Sequence, residues 1–264
     1  MSITTPAGLI AAPKQVIRII KTATRTSIAA IPFSIFDLAG NPGAGTLAGA
    51  NTANGVVPTD ATAGFPTINA FGGGATGYLT RFGFTNSVTS RVTLYDMLFK
   101  AGAYAFNANV TLASQPSYSS RVPGGTDYKG LEIWIEAVTA FTGNLSIRVQ
   151  YLDQDGNAGD TGTIALGVAP TVGRMIQLPL AAGDSGVQQI TVVTATVSTV
   201  GTFNVLVLRR LASGRIVAAG GGDIYGPDRT GMPVVFADSA LLAVSQPDST
   251  STGLVDMEIE IANG

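Results

Sequence analysis

The sequence predicts an all-β protein: a β-sandwich or jelly-roll-like core over residues 78–264, preceded by an extended N-terminal arm over residues 1–77. Three observations carry this. Short runs with a two-residue apolar/polar period recur from about Leu79 onward, separated by turn signals at intervals of roughly 8–12 residues. The 33 glycines and 13 prolines weigh against long helices, whose interiors both residues destabilise. Gly40–Gly77 has no period and only Asp60 for charge, and is too long for an ordinary connection inside a compact domain.

The elements follow in order. Val16, Ile17, Ile19 and Ile20 fit either a helical face or a buried strand, and the β-branched content of residues 15–31 favours extended structure. Around Val88–Leu98 a strand alternation competes with a short helix lined by Leu94, Leu98 and Ala101. Leu131, Ile133, Ile135 and Ala137 alternate with Glu132, Trp134 and Glu136, the pattern of a half-buried strand. Ile147, Val149 and Tyr151 form a second such strand, which runs into the turn Asp153-Gln154-Asp155-Gly156-Asn157. Ile190–Val197 is β-branched, and Phe203–Leu208 is apolar on both faces, as a strand covered on both sides must be. Met257, Ile259 and Ile261 against Asp256, Glu258 and Glu260 give a last strand with one wet face.

Composition then bounds function. Only 12% of the 264 residues are charged, against about 25% in ordinary soluble domains. Mean hydropathy is +0.33, yet no apolar run approaches the roughly 20 residues of a membrane-spanning helix. A thinly charged surface invites association, so the expectation is a homo-oligomer, with a trimer favoured, whose surface is covered by neighbours and not by membrane. A net charge of −2 argues against nucleic acid as a partner. The local basic excess at Lys14, Arg18, Lys21 and Arg25 reads as a solvated face of the first element. The N-terminus does not read as a secretory signal, because Lys14, Arg18 and Lys21 interrupt the run after Gly8–Pro13. The sequons at Asn109 and Asn144 are accordingly read as chance matches.

There is no histidine and no cysteine, which removes the Ser-His-Asp and Cys-His triads and the usual zinc sites. Ser-x-x-Lys and Gly-x-Ser-x-Gly are also absent. Glu132 and Glu136 share a strand face about 13 Å apart, too far for a glycosidase pair, while Glu258 and Glu260, about 7 Å apart, read as solvent-facing acids. Asp153, Asp155 and Asn157, with Asp160 nearby, are oxygen-rich like a calcium loop but lack the EF-hand's bidentate Glu, and a tight turn accounts for them. Gly43, Gly45 and Gly49 lack the Gly-Lys-Ser/Thr of a phosphate loop. Trp134 and Tyr128 could form a sugar-stacking platform or a core seam. The expectation is therefore a protein without catalytic residues, cofactor or metal.

Leu94–Val110, Gln115–Tyr118, Arg121–Pro123, Asp127–Asn144, Val168–Leu180 and the closing Ile-Glu-Ile-Ala-Asn-Gly resemble a family of structural proteins of tailed bacteriophages. The resemblance covers most of the chain and rests on general similarity, not on a functional motif. It implies a virion component, similar to capsid decoration (cement) proteins that sit on the capsid exterior, bind the major capsid protein and are made in the host cytoplasm. Tail or neck components and a surface glycan-binding module are the alternatives. Within the arm, Phe65, Ile68 and Phe71 are the expected anchors into a neighbour, because the rest of Gly40–Gly77 is too poor in large apolar residues to fold alone. Deleting residues 1–71 is then expected to leave a folded core.

Overall fold

The computed structural model describes residue 3 and residues 5–105, 107–142, 145–166, 171–196 and 200–264. A six-residue helix, α1 (Pro6–Ala11), opens the described chain; Thr5 caps it by accepting the Gly8 N–H, and Pro6 occupies its first turn. There follow β1 (Lys14–Lys21), β2 (Phe33–Ser34), β3 (Gly40–Asn41), β4 (Gly77–Asn86), β5 (Ser90–Ala105) and β6 (Asn109–Thr111). Next come β7 (Leu131–Thr139), β8 (Leu145–Asp153), β9 (Ala158–Asp160), β10 (Ile164–Leu166), β11 (Met175–Leu178) and β12 (Val187–Thr196). The chain ends with β13 (Thr202–Ile216), β14 (Gly222–Tyr225), the single turn α2 (Pro227–Thr230), β15 (Val234–Val235), β16 (Leu241–Pro247) and β17 (Val255–Asn263). The all-β expectation holds, and the stretch around Leu94–Ala101 is strand, not helix. Among the described residues no helix is long and apolar enough to cross a membrane.

The strands form three sheets. The central one has the order β11-β7-β13-β5-β16-β2 and is built on the two longest strands, β5 and β13. It curls until its ends meet: Ser34 N–H donates to Gly173 O (2.8 Å) and Met175 N–H donates to Pro32 O (2.9 Å), so β2 bonds back to the chain entering β11. Two further sheets pack on its outside. One has the order β14-β4-β17-β1-β3, with β15 on β4; the other has the order β10-β8-β12-β6, with β9 on β8. The result is a β-sandwich, jelly-roll-like architecture in which one curled sheet serves two partners.

Bulges decide what each side of the curled sheet presents. Val207 pairs with Phe99 but Leu208 pairs with Met97, so Leu98 is an extra residue in β5. That extra residue inverts the alternation. Val92 and Leu94 face outward into the sheet containing β17, packed with Phe82, Phe84, Met257 and Ile259. Beyond the bulge Phe99 and Ala101 face outward into the sheet containing β12, packed with Val149, Tyr151, Ile190 and Val193. Tyr95 and Met97 turn inward and meet Trp134, Leu206, Leu208, Leu242 and Val244 inside the curl. Asp96 lies on β5 between Leu94 of one outer cluster and Phe99 of the other, fully buried.

The N-terminal third is where the structure departs most from expectation. Residues 14–21 are not part of an arm: β1 lies inside its sheet, paired from Lys14↔Ala262 to Ile20↔Asp256 with β17. The glycine-rich segment lies on this chain's own core. Val56 and Lys100 exchange both backbone hydrogen bonds (2.9 and 3.0 Å), and Gly102 N–H reaches Asn51 O, so residues 51–56 run along the part of β5 that β16 leaves uncovered. Side chains from the core satisfy the segment's carbonyls. Lys21 Nζ donates to Leu38 O (3.0 Å) and Pro42 O (3.3 Å), and Lys100 Nζ to Thr46 O (3.0 Å). Asn204 Nδ2 donates to Leu47 O (2.7 Å), Tyr104 Oη to Thr52 O (2.8 Å), and Arg121 to Pro58 O. A run whose only charge is Asp60 is orderable here because its buried carbonyls are paired by cations, an amide and a hydroxyl rooted elsewhere. Its glycines also fit closely: a Cβ at Gly49 would come within 2.8 Å of the Gly102 backbone.

Candidate functional site: the mouth of the curled sheet

The inside of the curled sheet is layered. At one end Glu136, Lys100 and Asn204 lie under residues 33–47; Asn204 Nδ2 donates to Glu136 Oε2 (2.8 Å), and Lys100 Nζ sits 5.2 Å from the Phe36 ring centre. The middle is apolar, closed by Phe36 and Phe65 (ring centres 4.6 Å apart) and by Met97, Leu206 and Leu208. At the other end the same inward positions become polar: Arg91 and Thr93 on β5, Glu132 on β7, Arg210 and Ser213 on β13, Gln246 on β16. These residues, with Arg174 and Gln177 at β11, bound an open mouth of about 400 Å³.

Glu132 organises the mouth. It accepts from Trp134 Nε1 (2.8 Å) and lies 3.9 Å from Arg210 Nε. Tyr95 packs edge-on to Trp134 at 5.9 Å, and its hydroxyl is held well above the usual tyrosine range, first by burial and then by the Glu132 charge beside it. Thr93 and Ser213 hydroxyls share a hydrogen bond across the strands (3.0 Å). Gln246 Nε2 donates to Ala30 O (2.8 Å), fixing its amide and leaving the carbonyl oxygen as an acceptor.

Among the described residues, two ionic groups built on fully buried carboxylates lie away from the mouth. Asp96 accepts from Arg121, from Arg209 Nη2 (3.0 Å), from Ser239 Oγ (2.8 Å) and from the Ala240 N–H (3.1 Å). Burial lowers the Arg209 guanidinium, with Asp96 opposing. At the closed end, burial pushes the Glu136 carboxyl up, opposed by Lys100 and the Asn204 hydrogen bond, and burial lowers the Lys100 ammonium. Glu136 and Asp96 are 0% exposed, so their partners are structural: they stitch elements together at sites solvent does not reach.

The other residues singled out from sequence scatter. Phe65 and Ile68 are 5% and 4% exposed inside this chain, Ile68 in the cluster beneath β17, with Phe71 packed against its rim. As folded, Phe65 and Ile68 anchor the segment to its own core. Glu136 is not on a wet face, because the inside of a curled sheet is as buried as the outside. Glu258 is paired with Arg81 (2.7 Å) and Arg18 (3.0 Å), and Glu260 accepts from Thr80 Oγ1 (2.9 Å). Both acids stand on the outer face of β17, matching the solvent-facing reading. Of the basic excess, Arg18 follows that reading, but Lys21 is buried and Arg25 is clasped by Asp37 (2.5 and 2.6 Å).

Asp153 is the hinge of a turn. Its Oδ1 accepts the Asp155 and Asn157 N–H groups (2.8 Å each), and although burial raises its carboxyl, those hydrogen bonds hold it below the usual range. Asp160 is held low by Arg148. Among the described residues no three acidic side chains converge to hold a metal. Tyr128 is buried in an outer cluster and Trp134 is 7% exposed, so they form no shared platform. Asn144 lies outside the described residues. The mouth arginines were missed from sequence; the available signal was polar residues recurring at every second position of strands otherwise apolar on both faces.

No family model matches the chain, and no curated protein matches it. Among solved structures, it overlaps the T13 viral particle of infectious bursal disease virus at 10% identity and a TM-score of 0.19, over 96% of this chain and 77% of that one. The Gx strain of the same virus overlaps at 11% identity and a TM-score of 0.15, over 96% and 80% of the two chains. Overlaps at these scores carry no argument, so the fold assignment rests on the three sheets and their register: a β-sandwich, jelly-roll-like protein with one curled sheet.

Proposed function

We propose that this chain is a non-enzymatic structural component of a tailed-phage virion, working as a capsid decoration (cement) protein on the major capsid lattice and assembling with copies of itself as a trimer. One observation carries the reading. In a chain with only 15 basic and 17 acidic residues, Lys21, Lys100, Arg121, Arg209, Asp96 and Glu136 are all buried and spent on internal bonds. Six of the 32 charged residues are thus withdrawn from the surface, where Ile10, Val16, Val200, Val217 and Ile224 are at least half exposed. Such a surface is stable in solution when neighbours cover it. The family resemblance and the structural use of the buried ionic groups agree with this.

The test is to fractionate particles into DNA-filled heads and isolated tails and to add the purified protein to heads stripped of it. Saturable rebinding to heads is expected. Recovery only with tails would make it a tail or neck component instead, and absence from both would overturn the virion reading.

A further inference from the structure

We propose that the mouth of the curled sheet binds a small acidic saccharide, a sugar ring carrying a carboxylate. The inference stands on the mouth alone and does not depend on the virion reading. Its volume, about 400 Å³, falls in the range of about 300–1,000 Å³ that holds small ligands. Its lining carries Arg91, Arg174 and Arg210 against the single carboxylate of Glu132, a local excess of two positive charges (three minus one) in a chain whose net charge is −2. Glu132 is already engaged by the Trp134 indole, and the Arg210 side chain is 59% exposed, so its terminal N–H groups are placed to meet an incoming carboxylate in the two-pronged geometry guanidinium favours.

The remaining lining fits a sugar ring. Thr93, Ser213 and the fixed amide of Gln246 offer donors and acceptors for ring hydroxyls. Ile31 and Pro32 offer apolar surface to C–H faces, with only the rims of the buried Tyr95 and Trp134 beneath them. An acidic peptide is the poorer fit, because a strand would need free backbone groups, and here the Pro32, Ser34, Gly173 and Met175 backbones are bonded to one another.

Trp134 is the only tryptophan in the chain, so its fluorescence and its single indole N–H resonance report on this mouth alone. The full-length protein is titrated with D-glucuronate and D-galacturonate, and in parallel with glucose, galactose, succinate and the peptide acetyl-Asp-Glu-Asp-amide. Saturable binding of at least one uronate with a Kd of about 1 mM or tighter is expected, with the neutral sugars about tenfold weaker or more, since they lack the carboxylate and a hydrogen bond to a charged group contributes that much, and with succinate weaker because it keeps the charge but has no ring hydroxyls for Thr93, Ser213 and Gln246 to meet. Arg91→Gln with Arg210→Gln should weaken uronate binding by about tenfold or more while leaving the melting temperature unchanged, because Arg210 is exposed; Arg18→Gln, outside the mouth, should bind as the parent does. No indole response to either uronate, equal binding of neutral sugar or succinate, tighter binding of the peptide, or an unaffected double variant would each overturn the proposal.

Discussion

Replacing Arg121 with Met should destabilise the protein more than any change at its surface. Arg121 is the largest fully buried polar side chain, 0% exposed, and it donates to Asp96, to Met97 O (2.9 Å) and to Pro58 O. It thereby ties β5 to the glycine-rich segment. Removing one member of a buried ion pair costs about 3–5 kcal/mol, and a stranded carbonyl adds about 1–3 kcal/mol. Asp96 keeps Arg209, Ser239 and the Ala240 N–H, which limits the first of these, and the Met side chain recovers some apolar packing. A net loss of about 4 kcal/mol follows, or about 8–16 °C in melting temperature for a chain of this size. Thermal melts of the parent, Arg121→Met, Asp96→Asn and the double variant give the coupling directly. The double variant should lose much less than the sum of the singles. A fall under about 2 °C for Arg121→Met, or fully additive losses, would refute the argument that this pair holds the two outer clusters and the segment together.

Two further outcomes follow from the same structure. Glu136→Gln should be neutral or stabilising at pH 7. Its folded carboxyl is raised by burial, so the native state keeps a proton the unfolded chain has released, and stability falls as pH rises from the unfolded value through the folded one. Denaturant titrations from pH 4 to 8 should show that slope in the parent and its loss in the variant; a cost above about 1 kcal/mol at pH 7 would instead mean that Lys100 needs the ionised form. Deleting residues 1–71 should abolish cooperative melting, because it removes β1 from beside β17 and takes away the buried side chains of Ile17, Ile19, Phe33, Ile35, Phe36, Phe65 and Ile68; circular dichroism of a folded, cooperatively melting remainder would contradict that.

Much of the strand pattern was legible because period-2 alternation needs only neighbours in sequence. β8 and β17 read correctly for that reason, and Phe203–Leu208 read correctly as covered on both sides. β7 was misjudged for a physical reason: Trp134 and Glu136 face the inside of a sheet that curls shut, and closure depends on β2 meeting Gly173–Met175, contacts about 140 residues apart in sequence. The packing of the glycine-rich segment on this chain's own core was not legible, because its buried carbonyls are paired by side chains rooted elsewhere. Thr46, Leu47, Thr52 and Pro58 carry carbonyls whose partners are Lys100, Asn204, Tyr104 and Arg121, and no local pattern announces such pairs. The mouth was hidden likewise, since Arg91, Arg174 and Arg210 meet only through strand order.

Whether residues 40–77 belong to the folded chain or form an arm that orders only on a partner is decided by amide hydrogen exchange on the free protein. Gly45 N–H is bonded to Phe36 O (3.1 Å), Val56 N–H to Lys100 O (2.9 Å), and Gly49 N–H to Asn204 Oδ1 (2.9 Å). These amides should exchange slowly in the unassembled protein, with protection approaching that of β5, while the exposed Gly72–Gly74 exchange fast. Exchange of Gly45, Gly49 and Val56 at the rate of an unstructured chain would contradict the account, and would return residues 40–77 to the role of an arm that orders only on a partner.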